Sequence, residues 1–336
     1  MSVLIQEVNG ERAAAGRNRQ LARVAGAVLL FLFLLPYVVT SFFGNVGDAG
    51  AGGMVSRTLA GWEKELAGGS IYAENITEVG RERIPLEIYL LDKLARSIHA
   101  DYHVEALKAQ AVLLRTALVE ELWKNSGSIR GIVRVNEPEY GRGIINEDVI
   151  MAVVSTQGVI LTYEEGPAKV AYFAVSNGRT RDSSEAFGQG GLPYFQPVDC
   201  NRDFLAENFT SQQTMSKSEF ITLIEKAAMG ASVSDSVEIN DLHINRDSSG
   251  YIIDITVPAS PAPVRLSGEE CRFLWGLNSS CFSIEEGKGK IIFSVRGIGH
   301  GLGMSQYAAN EMAKSENDYI DILEYFFSGL MLNKFE

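Results

Sequence analysis

Cysteine is scarce in this sequence. Three residues in 336 (Cys200, Cys271 and Cys281) are too few for a disulfide framework, and none lies in a Cys-x-x-Cys spacing. Cys271 and Cys281 have apolar neighbours, where a free thiol packs as a small hydrophobe. A bridge between them is open to the chain in an oxidising compartment, but nothing requires it. Histidine is little better represented: His99, His103, His243 and His300 make no His-Glu-x-x-His and no Cys/His cluster, so no metal is expected. His99 and His103, four residues apart, read as exposed residues at a helix start. A surplus of positive charge is missing too. The formal charge of -12 and the pI near 5.0 argue against nucleic acid, which needs a basic footprint. No Gly-Lys-Ser/Thr follows a glycine-rich turn and no Gly-x-Ser-x-Gly elbow occurs, which excludes a phosphate loop and a serine-hydrolase nucleophile of that type. No cofactor is implied.

Hydrophobic residues are ample, at 46%, for one large domain or two small ones. The charge is unevenly spread. Before Val24, Arg12, Arg17, Arg19 and Arg23 stand against Glu7 and Glu11, a net of +2, and the remainder of the chain sums to -14. From Val24 to Phe43 the chain has no charged residue over 20 positions. At 1.5 Å per residue that is a helix of roughly 30 Å, the hydrocarbon thickness of a bilayer. The adjacent Arg cluster then puts residues 1–23 in the cytoplasm and everything after 43 outside. Pro36 does not veto the span. A cleavable signal peptide is the rival reading, but this apolar run is longer than usual and its end offers a poor cleavage site.

Residues 44–83 read as a glycine-rich tether and lead-in, and 84–333 as the exterior domain. Ile84-Pro-Leu-Glu-Ile-Tyr-Leu-Leu opens a helix with Pro85 at its first position. In a second helix Val104, Leu107, Ala111, Leu114, Leu118 and Leu122 form an apolar stripe, Lys108, Arg115 and Glu121 fall away from it, and Asp101 is a candidate cap. Strands are expected at 158–163, 169–176, 251–257 and 290–296. Ser216-x-x-Glu219 and Ser267-x-x-Glu270 are capping-box signatures, and a last amphipathic helix includes Tyr319 to Phe327. The expected fold class is α+β.

Three stretches stand apart from ordinary core and surface. One is the helix surface bearing Glu105, Lys108, Gln110 and Arg115. Another is the polar turn from Ala174 to Glu185, which includes Ser-Asn-Gly-Arg-Thr. The last is Arg296-Gly-Ile-Gly-His-Gly-Leu-Gly-Met-Ser-Gln, with four glycines in seven residues around His300 and a helix starting at Ser305-Gln306.

The order and wording of these stretches resemble one family. Ile84-Pro-Leu-Glu and Glu105-Ala-Leu-Lys-Ala-Gln-Ala-Val-Leu-Leu-Arg-Thr116 look like the opening signature of the stage II sporulation protein D family, which also includes amidase-enhancer domains. Ser176 to Thr180, with Pro193-Tyr and Val198-Asp199 downstream, resembles its second motif, Gly299 to Gln306 its third, and Ile322 to Gly329 its C-terminal helix. The resemblance implies a membrane-anchored, mixed α/β extracytoplasmic domain with a cleft for peptidoglycan glycan strands. It also implies an amidase partner and a multi-pass membrane partner in engulfment of the forespore. The implied activity is a lytic transglycosylase, in which one carboxylic acid protonates the glycosidic oxygen and its conjugate base helps the sugar's own 6-hydroxyl close a 1,6-anhydro ring. Motif positions mark Lys108, Gln110, Arg115, Ser176, Asn177, His300, Ser305 and Gln306 as implied glycan contacts.

The family's acid is a glutamate eight residues before the Glu-Ala-Leu-Lys signature. Counting back from Glu105 reaches Ser97. A serine hydroxyl does not ionise near neutral pH, and losing a positioned acid typically costs about 10²–10⁴ in rate. A catalytically degenerate cell-wall binding or remodelling protein is therefore expected. The alternative is an active transglycosylase with a relocated carboxylate: Asp101, one helical turn on if the first helix continues, or less favourably Asp92.

Overall fold

A computed structural model describes residues 66–77, 80–136, 141–228 and 230–335. The chain divides into two units, Met1–Gly68 and Gly69–Glu336, and the fold below is that of the second. The expected cytoplasmic tail, the apolar span at 24–43 and the tether as far as residue 65 lie outside the described residues. Among the described residues no helix is long and apolar enough to cross a membrane.

Two antiparallel strands, β1 (Ile71–Thr77) and β2 (Gly80–Pro85), precede the first helix; they occupy the end of the stretch read as lead-in, and β2 takes in Ile84 and Pro85, read as the helix's opening. Local pattern did not mark them although they pair with each other, and β1 gains its second partner from far away: β3 (Gly131–Val135) pairs with it in parallel. Between them run α1 (Leu86–Ser97) and α2 (Val104–Ser126). Pro85 stands at the N-cap of α1, just outside the first helical position expected for it. Helix α2 begins on His103, whose Nδ1 accepts the Glu105 N–H at 3.3 Å, so His103 and not Asp101 is the cap. It ends on Gly127 in the left-handed conformation, with the Gly127 N–H on the Trp123 carbonyl. An amphipathic stripe was expected for α2. Instead every residue from Ala106 to Arg115 except Lys108 is buried, because other elements pack on several sides of this helix.

Helix α3 (Glu147–Ser155) is capped by Asn146 and leads into β4 (Val159–Tyr163) and β5 (Gly166–Pro167). The expected strand at 169–176 contracts to β6 (Tyr172–Phe173). The segment stays extended, but its backbone partners are the irregular glycine-loop carbonyls and amides (Met304 to Ala171, Val175 with Ile298, Tyr307 to Ala174), so no long ladder forms. A short α4 (Ser183–Phe187) follows.

Residues 207–296 then build an inserted lobe: β7 (Thr210–Ser216), α5 (Lys217–Ala227), β8 (His243–Arg246), β9 (Ile252–Val257), β10 (Val264–Ser267), α6 (Gly268–Leu274), β11 (Phe282–Gly287) and β12 (Lys290–Arg296). Its sheets run β10-β9-β8 and β11-β12-β7. Both expected caps are in place. Ser216 accepts from the Glu219 N–H, and Ser267 and Glu270 form the full reciprocal box. The lobe has its own core around Trp275, Phe220, Phe282 and Phe293.

The chain returns through β13 (Met304–Ser305), α7 (Gln306–Ala313), α8 (Tyr319–Phe326) and β14 (Met331–Lys334). Strand β13 lies parallel to β6, and β14 pairs with β4. The first lobe's core thus joins α2 to α7 and α8, from opposite ends of the chain. The mixed α/β class is as expected.

Candidate functional site at the meeting of the helix turn and the glycine loop

The N-terminal end of α7 reaches the turn between α1 and α2. Gln306 Nε2 donates to the Ser97 carbonyl at 2.7 Å and to Gln110 Oε1 at 3.2 Å, and Asn310 Oδ1, one turn further along α7, accepts the His103 N–H at 2.8 Å. Residues some 200 positions apart therefore share one station, and Ser97, Gln110 and Gln306 are neighbours. Gln110 is fully buried, and no described group accepts from its Nε2. The Ser97 hydroxyl donates back to the Leu94 carbonyl, closing the end of α1.

Helix α1 stops at Ser97, and Ile98 is extended. The condition that would carry Asp101 into the same cleft is unmet: it lies on the turn, exposed and outside the helix. Asp92 is held elsewhere, buried between Arg96 Nε at 2.8 Å and the Gly143 N–H at 2.8 Å. Among the described residues no carboxylate is hydrogen-bonded to the side chain of Ser97, Gln110 or Gln306.

Most of the other expected contacts have structural partners. Arg115, expected off the apolar stripe, has a fully buried side chain that forks onto Glu87: Nε to Oε1 at 2.8 Å and Nη2 to Oε2 at 2.7 Å. Its Nη1 donates to the Val159 carbonyl at 3.1 Å. None of its surface is exposed. Lys108 pairs with Glu105 at 2.6 Å, and Glu105 also accepts the Tyr319 N–H, tying α2 to the start of α8. Ser176 and Ser305 are both buried around Asp203, whose Oδ2 accepts the Ser176 N–H and the Ser305 hydroxyl, each at 2.7 Å. Ser305 also caps α7 through the Ala308 N–H.

Asn177 and His300 lie in the seam between the lobes. Asn177 Nδ2 donates to the Ser249 carbonyl at 2.6 Å, and its backbone N–H to the Tyr251 hydroxyl at 3.1 Å. His300 Nδ1 accepts the Leu302 N–H at 3.1 Å, its ring leans on Phe173, and the Tyr172 backbone hydrogen-bonds the ring. Burial depresses its pKa, so the imidazole is neutral and its lone pair is already used. A base or cationic contact is not what this geometry provides.

The seam is closed by a buried ion pair that pattern did not flag as a site: Arg181 Nε on Asp247 Oδ2 at 2.6 Å, with Arg181 Nη1 on the His300 carbonyl. Asp247 also accepts the Ser249 and Tyr251 N–H groups. The glycines of the loop answer a steric need. At Gly301 (φ +79) a Cβ would strike the Tyr251 ring, and at Gly303 (φ +78) the Ala171 carbonyl oxygen. The loop is thus glycine-rich for close passage to its own protein. Asp203 had no signal of its own, since its partners lie 27 and 102 residues away.

Asp203 offers a pH test. Desolvation raises its pKa against the lowering effect of the Ser176 and Ser305 hydrogen bonds, and no described group donates to Oδ1. A raised acid binds its proton more tightly folded than unfolded, so stability falls as pH rises from about 4 through the folded pKa. Asp203→Asn removes that titration. The melting temperature of the variant is expected to gain on the wild type as pH climbs through this window, and parallel curves would refute the assignment. The three thiols are free and buried, each pushed upward by desolvation, Cys271 to about 12.

Fold and site together define a two-lobed α/β protein in which a glycine loop from the C-terminal third braces a helix turn from the N-terminal third. Residues 73–163, from β1 to the end of β4, match the family model described as Stage II sporulation protein. Stage II sporulation protein D of Bacillus subtilis (strain 168) is 27% identical over 341 residues, covering 94% of this chain and 96% of that protein. The protein of that name from Bacillus amyloliquefaciens is 29% identical over 270 residues, 75% of each chain. The amidase enhancer of Bacillus subtilis (strain 168) is 24% identical over 280 residues, 70% of this chain but 39% of that protein. These likenesses support membership of the stage II sporulation protein D family.

Proposed function

We propose that this chain is a sporulation protein of the bacterial cell wall that holds peptidoglycan glycan strands and does not cut them. Its carrying observation is the station where Gln306 bridges Ser97 and Gln110. The helix-turn and glycine-loop motifs meet there, at the position the resemblance gives to a proton donor, and the side chain present is a hydroxyl. A glycosidic oxygen needs a proton as its bond breaks, and a hydroxyl is far too weak an acid to supply one. The names of the relatives, stage II sporulation protein D and amidase enhancer, support a cell-wall setting. A cell-wall amidase is the proposed partner.

Purified full-length protein in detergent is expected to pellet with peptidoglycan, while mass spectrometry of incubated glycan strands finds no 1,6-anhydro ends. Anhydro ends above background would refute the non-cutting reading, and failure to pellet would refute the glycan-holding one.

The proposed location is the cell membrane, with residues 24–43 as a single span and the folded unit outside. What supports it is the charge-free run after four arginines. External protease on intact protoplasts is expected to digest the folded unit and spare a tag at residue 1. Protection of both would refute the orientation.

A further inference from the structure

Strand β7 (Thr210–Ser216) stands at the edge of the sheet β11-β12-β7, with β12 as its strand partner. Its backbone groups alternate in direction. The Phe209 carbonyl accepts the Gly297 N–H, and the Lys217 N–H donates to the Gly289 carbonyl. Odd-numbered residues from 209 to 217 therefore turn their N–H and C=O groups toward β12 and its continuations. Thr210, Gln212 and Thr214 turn theirs outward, and all three are exposed. Among the described residues none hydrogen-bonds to that outer edge. An open edge invites pairing with another chain, and proteins usually guard it with a charge, a proline or a bulge. The other edge strands of the three-stranded sheets are guarded in this way: β2, β3, β8, β10, β11 and β14 carry charged side chains, and β5 a proline. Strand β7 reads Thr-Ser-Gln-Gln-Thr-Met-Ser and has neither. It is an unguarded edge.

We infer that β7 pairs with β7 of a second copy of this chain, antiparallel across a twofold axis at Gln212. In that register the outward-facing residues meet as hydrogen-bonded pairs, Gln212 with Gln212 of the second copy and Thr210 with Thr214, giving about six N–H···O bonds. Charge chooses this register over its neighbours. It brings the exposed Glu207, just before the strand, toward Lys217 of the second copy, just after it, and the twofold makes that contact twice. Lys217 also holds Glu286 of its own chain at 3.0 Å, so it would stand between two acids. A register centred on Gln213 instead brings Glu207 toward Glu219, like against like, and one centred on Ser211 leaves Glu207 facing Met215. The side chains along the strand are uncharged and polar, so the open edge stays soluble in a single copy while its backbone remains available.

The pairing has a geometric signature. Hydrogen-bonded antiparallel partners stand about 5.5 Å apart at Cα, within reach of a disulfide. Thr214 of one copy would lie about 14 Å from Thr214 of the other, four residues along, which is out of reach. The three native thiols are buried and free. In full-length protein in detergent, Gln212→Cys is therefore expected to give a disulfide-linked dimer under mild oxidation, and Thr214→Cys to stay a single chain. By sedimentation velocity the cysteine-unaltered wild type is expected to be a dimer at micromolar concentration. Thr214→Pro removes an N–H that a single copy leaves to solvent, and Gln212→Lys sets like charges opposite each other across the twofold. Each is expected to dimerise at least tenfold more weakly with an unchanged melting temperature, and Gln212→Lys carries the test if the proline disturbs the fold. A wild type that stays monomeric, or a dimer undiminished in Gln212→Lys, overturns the pairing. Equal cross-linking at positions 212 and 214 overturns the twofold at Gln212.

Discussion

Ser97→Glu protein is expected to release 1,6-anhydro ends from purified glycan strands, about 10²–10⁴ faster than the wild type's background, the usual contribution of one positioned acid. The station is otherwise assembled. Ser97 closes α1, its carbonyl is held by Gln306 at 2.7 Å, and its side chain is half-buried, leaving a longer chain room toward solvent. A carboxyl group there would sit near the buried Gln110 amide, and partial desolvation raises the pKa of such a group. Gln110 Nε2, buried and without an acceptor among the described residues, is a donor in the same cluster for the conjugate base. Asp101→Asn in the wild type is expected to change nothing, because Asp101 lies exposed on the turn. A folded Ser97→Glu protein without anhydro products would show that position 97 is not the acid station, and would remove the observation on which the non-cutting reading rests.

Arg115→Met is expected to lower stability by about 3–5 kcal/mol, the usual cost of removing one partner of a buried ion pair. In a domain of this size that is a fall of roughly 10 °C in melting temperature. Glu87 would be left buried at 7% side-chain exposure, with the Gly158 N–H as its remaining recorded donor. The cause is the stranded charge more than the lost attraction. Glu87→Met combined with Arg115→Met should therefore recover much of the loss, since an apolar pair of similar volume leaves no charge behind. Peptidoglycan pelleting by the double variant should stay near wild type. If Arg115 were a ligand contact instead, binding would fail in both variants while the melting temperature barely moved.

The element types were largely readable. Periodicity and caps located α1, α2, α5, α6, α8 and the strands β4, β9 and β12, because those signals are local: an apolar step, a Ser-x-x-Glu, a β-branched run. The place of β3 in the first sheet and the shortening of 169–176 were not readable, because their pairing comes from residues tens or hundreds of positions away. The site was legible by half. Motif order brought Ser97, Gln110 and Gln306 onto one list, and they do meet. The remaining polar motif residues bind the protein to itself, and nothing in a sequence separates a buried serine on Asp203 from an exposed one on a ligand.

Composition and order alone established several things: an acidic chain, a charge-free run of bilayer length, an α+β fold class and the family motifs with a serine where an acid was due. Each depends on residue identity or near-neighbour spacing. Tertiary structure alone decided that Arg115, Ser176 and Ser305 are turned inward and that Arg181 and Asp247 lock the lobe seam. Those outcomes depend on which distant groups meet in low dielectric, and burial is a property of the assembled chain.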